Sequence, residues 1–253
     1  ENFTAFEAGV KAYSNDGTMA AKLNFYSTTW NDRIATKQIQ DQDGDEVIIY
    51  VSGMDQSHTG IEAELAAQLH NMFRLDLAVG IGNWLFVDDA TGTYKDYSGG
   101  SGADVSYNYS IDGIYVGDMP QINLAVGFTL TPIEGANLQF LYRFYDRHYA
   151  DWDPRGREFA DGTDENNIDR AFSWNAPPYG VLDVHGVYNM PFNLGPATPQ
   201  LFLHVFNALD EVYVQDAVDN SPYNSWDGSH GADDAEVYLG LPMSFNVGLR
   251  VSF

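Results

Sequence analysis

The chain of 253 residues has no cysteine, so disulfides and thiolate-held metals are excluded. Cations are scarce: 12 Lys and Arg stand against 36 Asp and Glu, a net charge of −24. Such a surface repels nucleic acid, and that class of partner is set aside. No run of about 18 apolar residues occurs, which excludes a transmembrane helix; a barrel of short alternating strands passes the same test. A starting Met and a signal peptide are also missing, and Glu1 opens almost directly into a strand, as expected of a cleaved leader or a fragment. What is present, 44% hydrophobic, suits one all-β domain.

The last stretch is the clearest. Phe245, Val247, Leu249, Val251 and Phe253 alternate with Asn246, Gly248, Arg250 and Ser252. That makes a strand with one apolar and one polar face. An aromatic at its end suits an outer-membrane barrel closing its wall; the plainer alternative is an edge strand of a soluble sandwich. The pattern recurs upstream. Phe6, Ala8, Val10 and Ala12 alternate with Glu7, Gly9 and Lys11, and Asn15-Asp16-Gly17 follows as a hairpin turn. Further alternating runs start at Met19, Ile61, Phe73, Leu124, Leu138 and Leu182, and another strand is expected over 201–214.

Connections alternate short and long. The turns at 15–17, 70–71, 131–136 and 191–199 are tight, whereas the segments at 37–46, 88–118, 150–176 and 215–241 are long and carry most of the Asp. This is the outer-membrane asymmetry of tight periplasmic turns and long outer loops. Aromatics gather near strand ends as an interfacial girdle would: Phe25, Tyr26 and Trp30; Trp84 and Phe86; Phe144, Tyr145 and Tyr149. The expected fold is therefore an antiparallel transmembrane β-barrel with about nine strands in this chain. Phe6, Val10, Leu65, Leu77, Phe128, Phe140, Val184 and Val247 are expected to face lipid. Bacterial single-chain barrels have even strand numbers, and a periplasmic C-terminus would put the N-terminus outside. The chain thus reads as the C-terminal part of a larger barrel.

Several stretches resemble TonB-dependent receptors. Phe6-Glu7-Ala8-Gly9-Val10-Lys11, with Phe25-Tyr26 and Asp32 beyond the hairpin, resembles their "E-x-G-x-K … F-Y-x-x-x-x-x-D" stretch. Gly60-Ile61-Glu62-Ala63-Glu64 resembles "G-x-E-x-E/S", and Pro178-Tyr179-Gly180-Val181-Leu182-Asp183 resembles "P-x-Y-x-x-x-D". Val205-Phe206-Asn207-Ala208-Leu209-Asp210-Glu211-Val212-Tyr213 resembles "x-x-N-L-x-D-x-x-Y", and Phe253 matches the terminal Phe. Gly117-Asp118-Met119-Pro120-Gln121 is similar to Bacteroidota-type members, the SusC/RagA type. The resemblance implies a 22-stranded barrel in the bacterial outer membrane, filled by an N-terminal plug. It implies active uptake of a scarce ligand (a chelated metal, vitamin, glycan or peptide) driven through the TonB complex. The plug and the early strands would lie outside this chain, and a surface lipoprotein is compatible as a further partner.

Candidate site residues follow from the polar face. Glu62, Glu64, Arg74, Asp76, Arg143, Arg147, Asp183 and His185, with His204, would line the lumen as a ligand path; alternatively they pair with one another and with the plug. Tyr107, Tyr109, Trp152, Trp174 and Trp226 in the long loops could stack on a ligand or pack against neighbouring loops. Asp41, Asp43 and Asp45 alternate beside Gly44 like a calcium loop, without its distant bidentate Glu; an acidic solvated turn is the alternative. A passive porin and a barrel enzyme are the competing functions. Asp146 with His148, or Asp183 with His185, would supply a base, but no nucleophile accompanies them.

Overall fold

The computed structural model describes residues 1–40, 44–96, 102–192, 195–224 and 228–252. Nine long antiparallel strands form one sheet, each paired with its neighbours in sequence order. They are Asn2–Tyr13, Met19–Asn31, Gln56–His70, Phe73–Phe86, Ile122–Leu130, Ala136–Asp146, Tyr179–Asn189, Thr198–Phe206 and Ser244–Ser252. At 9 to 15 residues they have the length that crosses a hydrocarbon core when tilted. No helix among the described residues is long and apolar enough to cross a membrane.

The register fixes which side chains share a face. Val10 pairs with Leu23, Ala21 with Leu65, Leu65 with Leu77, Leu77 with Val126, and Phe128 with Phe140. Phe140 then pairs with Val184, Val184 with Val205, and Leu203 with Val247. Partners across an antiparallel ladder point the same way. All eight positions expected to face lipid therefore lie on one side of the sheet. Among the described residues nothing covers that side: Phe6 is 60% exposed, Val10 66%, Phe245 71% and Val247 63%. An uncovered apolar face of this extent does not persist in water, and it excludes the sandwich alternative.

Short turns join the strands at one end. At 14–18, Asp16 accepts from the Thr18 amide at 3.1 Å and from the Ser14 hydroxyl at 2.6 Å, and Gly17 takes a φ of 72°. These bonds hold the exposed Asp16 carboxyl down at about 2, the Ser14 hydroxyl contributing most.

At the other end the four long connections fold together as a cap. Ala35–Gln40, Glu46–Ser52, Ala90–Asp96, Ala103–Tyr109 and Glu158–Phe159, drawn from three connections, make a second, five-stranded sheet. The fourth connection contributes the hairpin Val214–Asp219 with Ala235–Leu239, docked where Val218 bridges to Asp151. The apolar core of the chain sits in this cap. Ile49, Val51, Tyr109, Ile111 and Ile114 are fully buried there, and Trp152 packs on Phe86 and Tyr109. The strand Glu46–Ser52 is an inner one, paired with Ala35–Gln40 on one side and Ala90–Asp96 on the other.

Two expectations are corrected by the fold. The strand expected over 201–214 stops at Phe206, because Asn207 and Asp210 adopt φ of 48° and 52° and turn the chain. The expected girdle is split between faces: Phe25 and Phe144 share the apolar side, whereas Tyr26, Trp30, Trp84, Phe86 and Tyr145 stand in register on the polar side. Tyr149 lies in the cap, stacked on Tyr115 at 4.3 Å.

Candidate functional site

The polar face is hollowed. One depression of about 580 Å³ spans the first six wall strands, from Lys11 through Glu64 and Arg74 to Gln139. A second, of about 450 Å³, lies nearer the cap and is aromatic: Phe3, Trp30, Tyr26, Trp84 and His58 line it with Glu62. There the Trp84 indole N–H donates to the Tyr26 hydroxyl at 2.9 Å, His58 stacks on Trp84 at 5.4 Å, and Trp30 meets Phe3 edge-on at 6.3 Å. This shelf is what the girdle reading missed. The signal was in the register, since Tyr26, Gly60 and Gly82 stand opposite one another on three strands.

The expected lumen residues other than Arg147 share the polar face, and most are paired. Lys22 reaches Glu64 at 3.1 Å, and Arg74 grips Asp76 on its own strand at 2.7 Å. Arg143 is paired with Asp183, whose carboxylate is 4% exposed and also accepts from the Asn207 amide at 2.9 Å. His185 stands opposite His204, with their Nδ1 atoms 2.9 Å apart. Neither Asp–His combination considered for catalysis forms such a pair: Asp183 is engaged by Arg143, and His148 is buried with neither ring nitrogen hydrogen-bonded. Arg147 is a correction. It lies beyond its strand in a left-handed conformation, with its guanidinium over the Tyr115 ring at 4.9 Å.

In the cap, Tyr109 and Trp152 are 0% and 1% exposed. They are core side chains, which corrects their expected place on a contact surface. Tyr107 stacks between Tyr94 and Tyr109 at 6.1 and 6.5 Å. Trp174 is half-buried, and its carbonyl accepts from the Ala150 amide at 2.8 Å. Trp226, Asp41 and Asp43 lie outside the described residues, while Asp45 lies just before the strand Glu46–Ser52. Among the described residues, no three His, Asp or Glu side chains gather as a metal site.

A charged knot ties two cap connections. His230 Nδ1 lies 2.5 Å from Asp219, and its Nε2 lies 2.7 Å from Asp169. Arg157, fully buried, sits 3.8 Å from Asp219 and donates to the Ala171 carbonyl at 2.6 Å. The Asp219 hydrogen bond raises the His230 pKa most; burial opposes it, and Asp169 adds to the rise. Burial works against the Asp219 carboxylate, but His230 and the Ser221 amide outweigh it and hold the carboxyl below its ordinary value. Asp118 is the opposite case: burial, then Asp151 and Asp216, push its carboxyl up to about 6.

The model of the TonB dependent receptor-like β-barrel family matches residues 1–208. No curated protein matches the chain in sequence. Among solved structures, the copper transporter OprC superposes with a TM-score of 0.58 at 15% identity, over 98% of this chain and 31% of that one. The pyoverdine outer-membrane receptor FpvA from Pseudomonas aeruginosa PAO1 gives 0.57 at 14% identity, over 99% and 30%. The ferric preacinetobactin receptor BauA from Acinetobacter baumannii gives 0.56 at 15%, over 99% and 29%. The chain thus spans about a third of the length of these structures. With more than four-fifths of its residues under the family model and its fold shared with outer-membrane receptors, the chain belongs to the TonB-dependent receptor β-barrel family, whose members are transporters and receptors rather than enzymes.

Proposed function

We propose that this chain forms part of the wall and the outer cap of an active transporter for a chelated metal. The observation that carries the reading is the two-faced sheet: an uncovered apolar side, a hollowed polar side, and long connections folded into one cap over a single end. The neighbours are named for copper, pyoverdine and ferric preacinetobactin, which supports a metal or its chelate as cargo over a vitamin, glycan or peptide. On this reading the apolar face meets outer-membrane lipid, the cap is extracellular, and the C-terminus is periplasmic. The remaining strands, a plug and the TonB complex complete the machine. The stretch from Gly117 to Gln121 supports a Bacteroidota-type, SusC/RagA-like member, for which a surface lipoprotein would be a partner.

The aromatic shelf and Glu62 are the contact surface we assign to the cargo. Planar chelators stack on such rings. In cells carrying the complete receptor, uptake of radiolabelled ferric siderophores and of copper should depend on TonB. Trp84→Ala with Trp30→Ala should lower that uptake about tenfold or more, the equivalent of losing one to two stacking contacts. Uptake that is indifferent to TonB would overturn the reading and favour a passive pore. The acidic stretch from Asp41 to Glu46 retains a calcium reading, supported by the alternating carboxylates of its sequence alone.

A further inference from the structure

His185 and His204 are directly opposed on neighbouring strands and turn the same ring atom toward each other. Their Nδ1 atoms are 2.9 Å apart, with the ring planes 60° to one another. A single proton can satisfy this pair, one imidazole donating and the other accepting. The same spacing suits a metal ion. With metal–nitrogen bonds of about 2.0–2.1 Å, two nitrogens at a right angle stand about 2.8–3.0 Å apart, and at a tetrahedral angle about 3.3–3.4 Å. The observed separation falls in the right-angled range, that of square-planar or tetragonal Cu(II) and Ni(II).

The surroundings hold the rings in place. Phe206 packs on His185 at 5.6 Å and on His204 at 6.3 Å, and Phe202 packs on His204 at 5.5 Å. Two more potential ligands flank the pair in register, Gln139 opposite His185 and Asn246 opposite His204. Their amide oxygens, or water, are suited to the remaining positions. Asp183, two residues before His185 on the same face, is occupied by Arg143 and the Asn207 amide, so the donor set is nitrogen-rich and neutral. Such a set prefers Cu(II) and Ni(II) to hard oxygen-seeking cations.

We propose that His185 and His204 form a two-imidazole binding site for Cu(II) or Ni(II) on the polar face of the wall. The ion takes the place of the shared proton, which moves to Nε2 of the donating ring so that both imidazoles stay neutral, and it bridges the seventh and eighth strands. The site stands apart from the aromatic shelf and does not depend on which cargo the receptor carries.

The test uses the complete receptor purified in detergent, titrated with Cu(II) and followed by electron paramagnetic resonance. The expected spectrum is tetragonal, with splitting from two equivalent nitrogens. That component should be lost in His185→Gln and in His204→Gln. Identical spectra from wild type and the double variant would overturn the proposal, as would a wild-type spectrum without two-nitrogen coordination. A second measurement needs no variant: Ni(II) should protect His185 and His204 from diethyl pyrocarbonate, mapped by mass spectrometry. Equal modification with and without Ni(II) would overturn it too.

Discussion

At the scale of residues, His230 and Arg143 are the informative cases. His230 carries a carboxylate on each ring nitrogen, which only the imidazolium satisfies fully. Its pKa is raised above the ordinary 6.5, so its contribution is complete below that value and is lost as pH rises through the folded pKa. The carboxyls of Asp169 and Asp219 are held below the ordinary 3.8, so theirs is complete above that value and fades as pH falls. The cap should therefore be tightest between about pH 4 and 6.5 and loosen toward alkaline pH. Hydrogen exchange of 207–243 measured against pH should show this, and His230→Gln should flatten the profile; a flat wild-type profile contradicts it. For Arg143 the expectation is a stability loss. Arg143→Gln leaves Asp183 buried with the Asn207 amide but without its cation, which should cost about 1–3 kcal/mol. A lowered unfolding temperature on a heat-modifiability gel would report it. Neither residue's partner could be read from the sequence. Asp169 and His230 lie far apart in the chain, and only the docking of two connections brings them together.

At the scale of elements, the wall was legible and the cap was not. Wall strands declare themselves by a strict two-residue period between tight turns, and one face meets a uniform solvent that accepts any apolar side chain. The cap strands are short, polar at their tips and paired across different connections, so no local pattern reveals their partners. The receptor-like motifs turn out to interlock. Tyr26 of the first lies over Gly60 of the second, where a Cβ would come within 2.4 Å of its hydroxyl. Tyr179 of the third stacks on Tyr213 of the fourth at 4.4 Å, and Asp183 accepts the Asn207 amide. Asn207 in turn bonds the carbonyls of Glu211 and Leu241, fastening the corner before the last strand. Gly60→Val should push Tyr26 off its shelf and break its bond to Trp84, at about 1–3 kcal/mol for the overpacking. Trp84 fluorescence in an otherwise tryptophan-substituted receptor should shift red; an unchanged spectrum would contradict the interlock.

At the scale of the whole molecule, the sheet separates two environments. Spin labels at Phe6, Val10, Leu65, Leu77, Phe128, Phe140, Val184 and Val247 should be accessible to oxygen in a bilayer and shielded from a water-soluble relaxant. Labels at Glu62, Asp76 and Gln139, on the other face, should show the reverse. Equal accessibility on the two faces would refute the barrel wall. Among the described residues the first and last wall strands each have one edge without a partner strand, and such edges need pairing in a membrane.

With the cap outside the cell, as proposed above, its construction bears on whatever meets the cell from outside. Its principal sheet is stitched from three stretches that are distant in the chain, and the fourth is pinned to them at Asp151. A bacteriophage or an antibody would encounter a discontinuous epitope rather than a set of separate peptides. Sera raised against a single loop copied as a synthetic immunogen should recognise the denatured chain and miss the living surface.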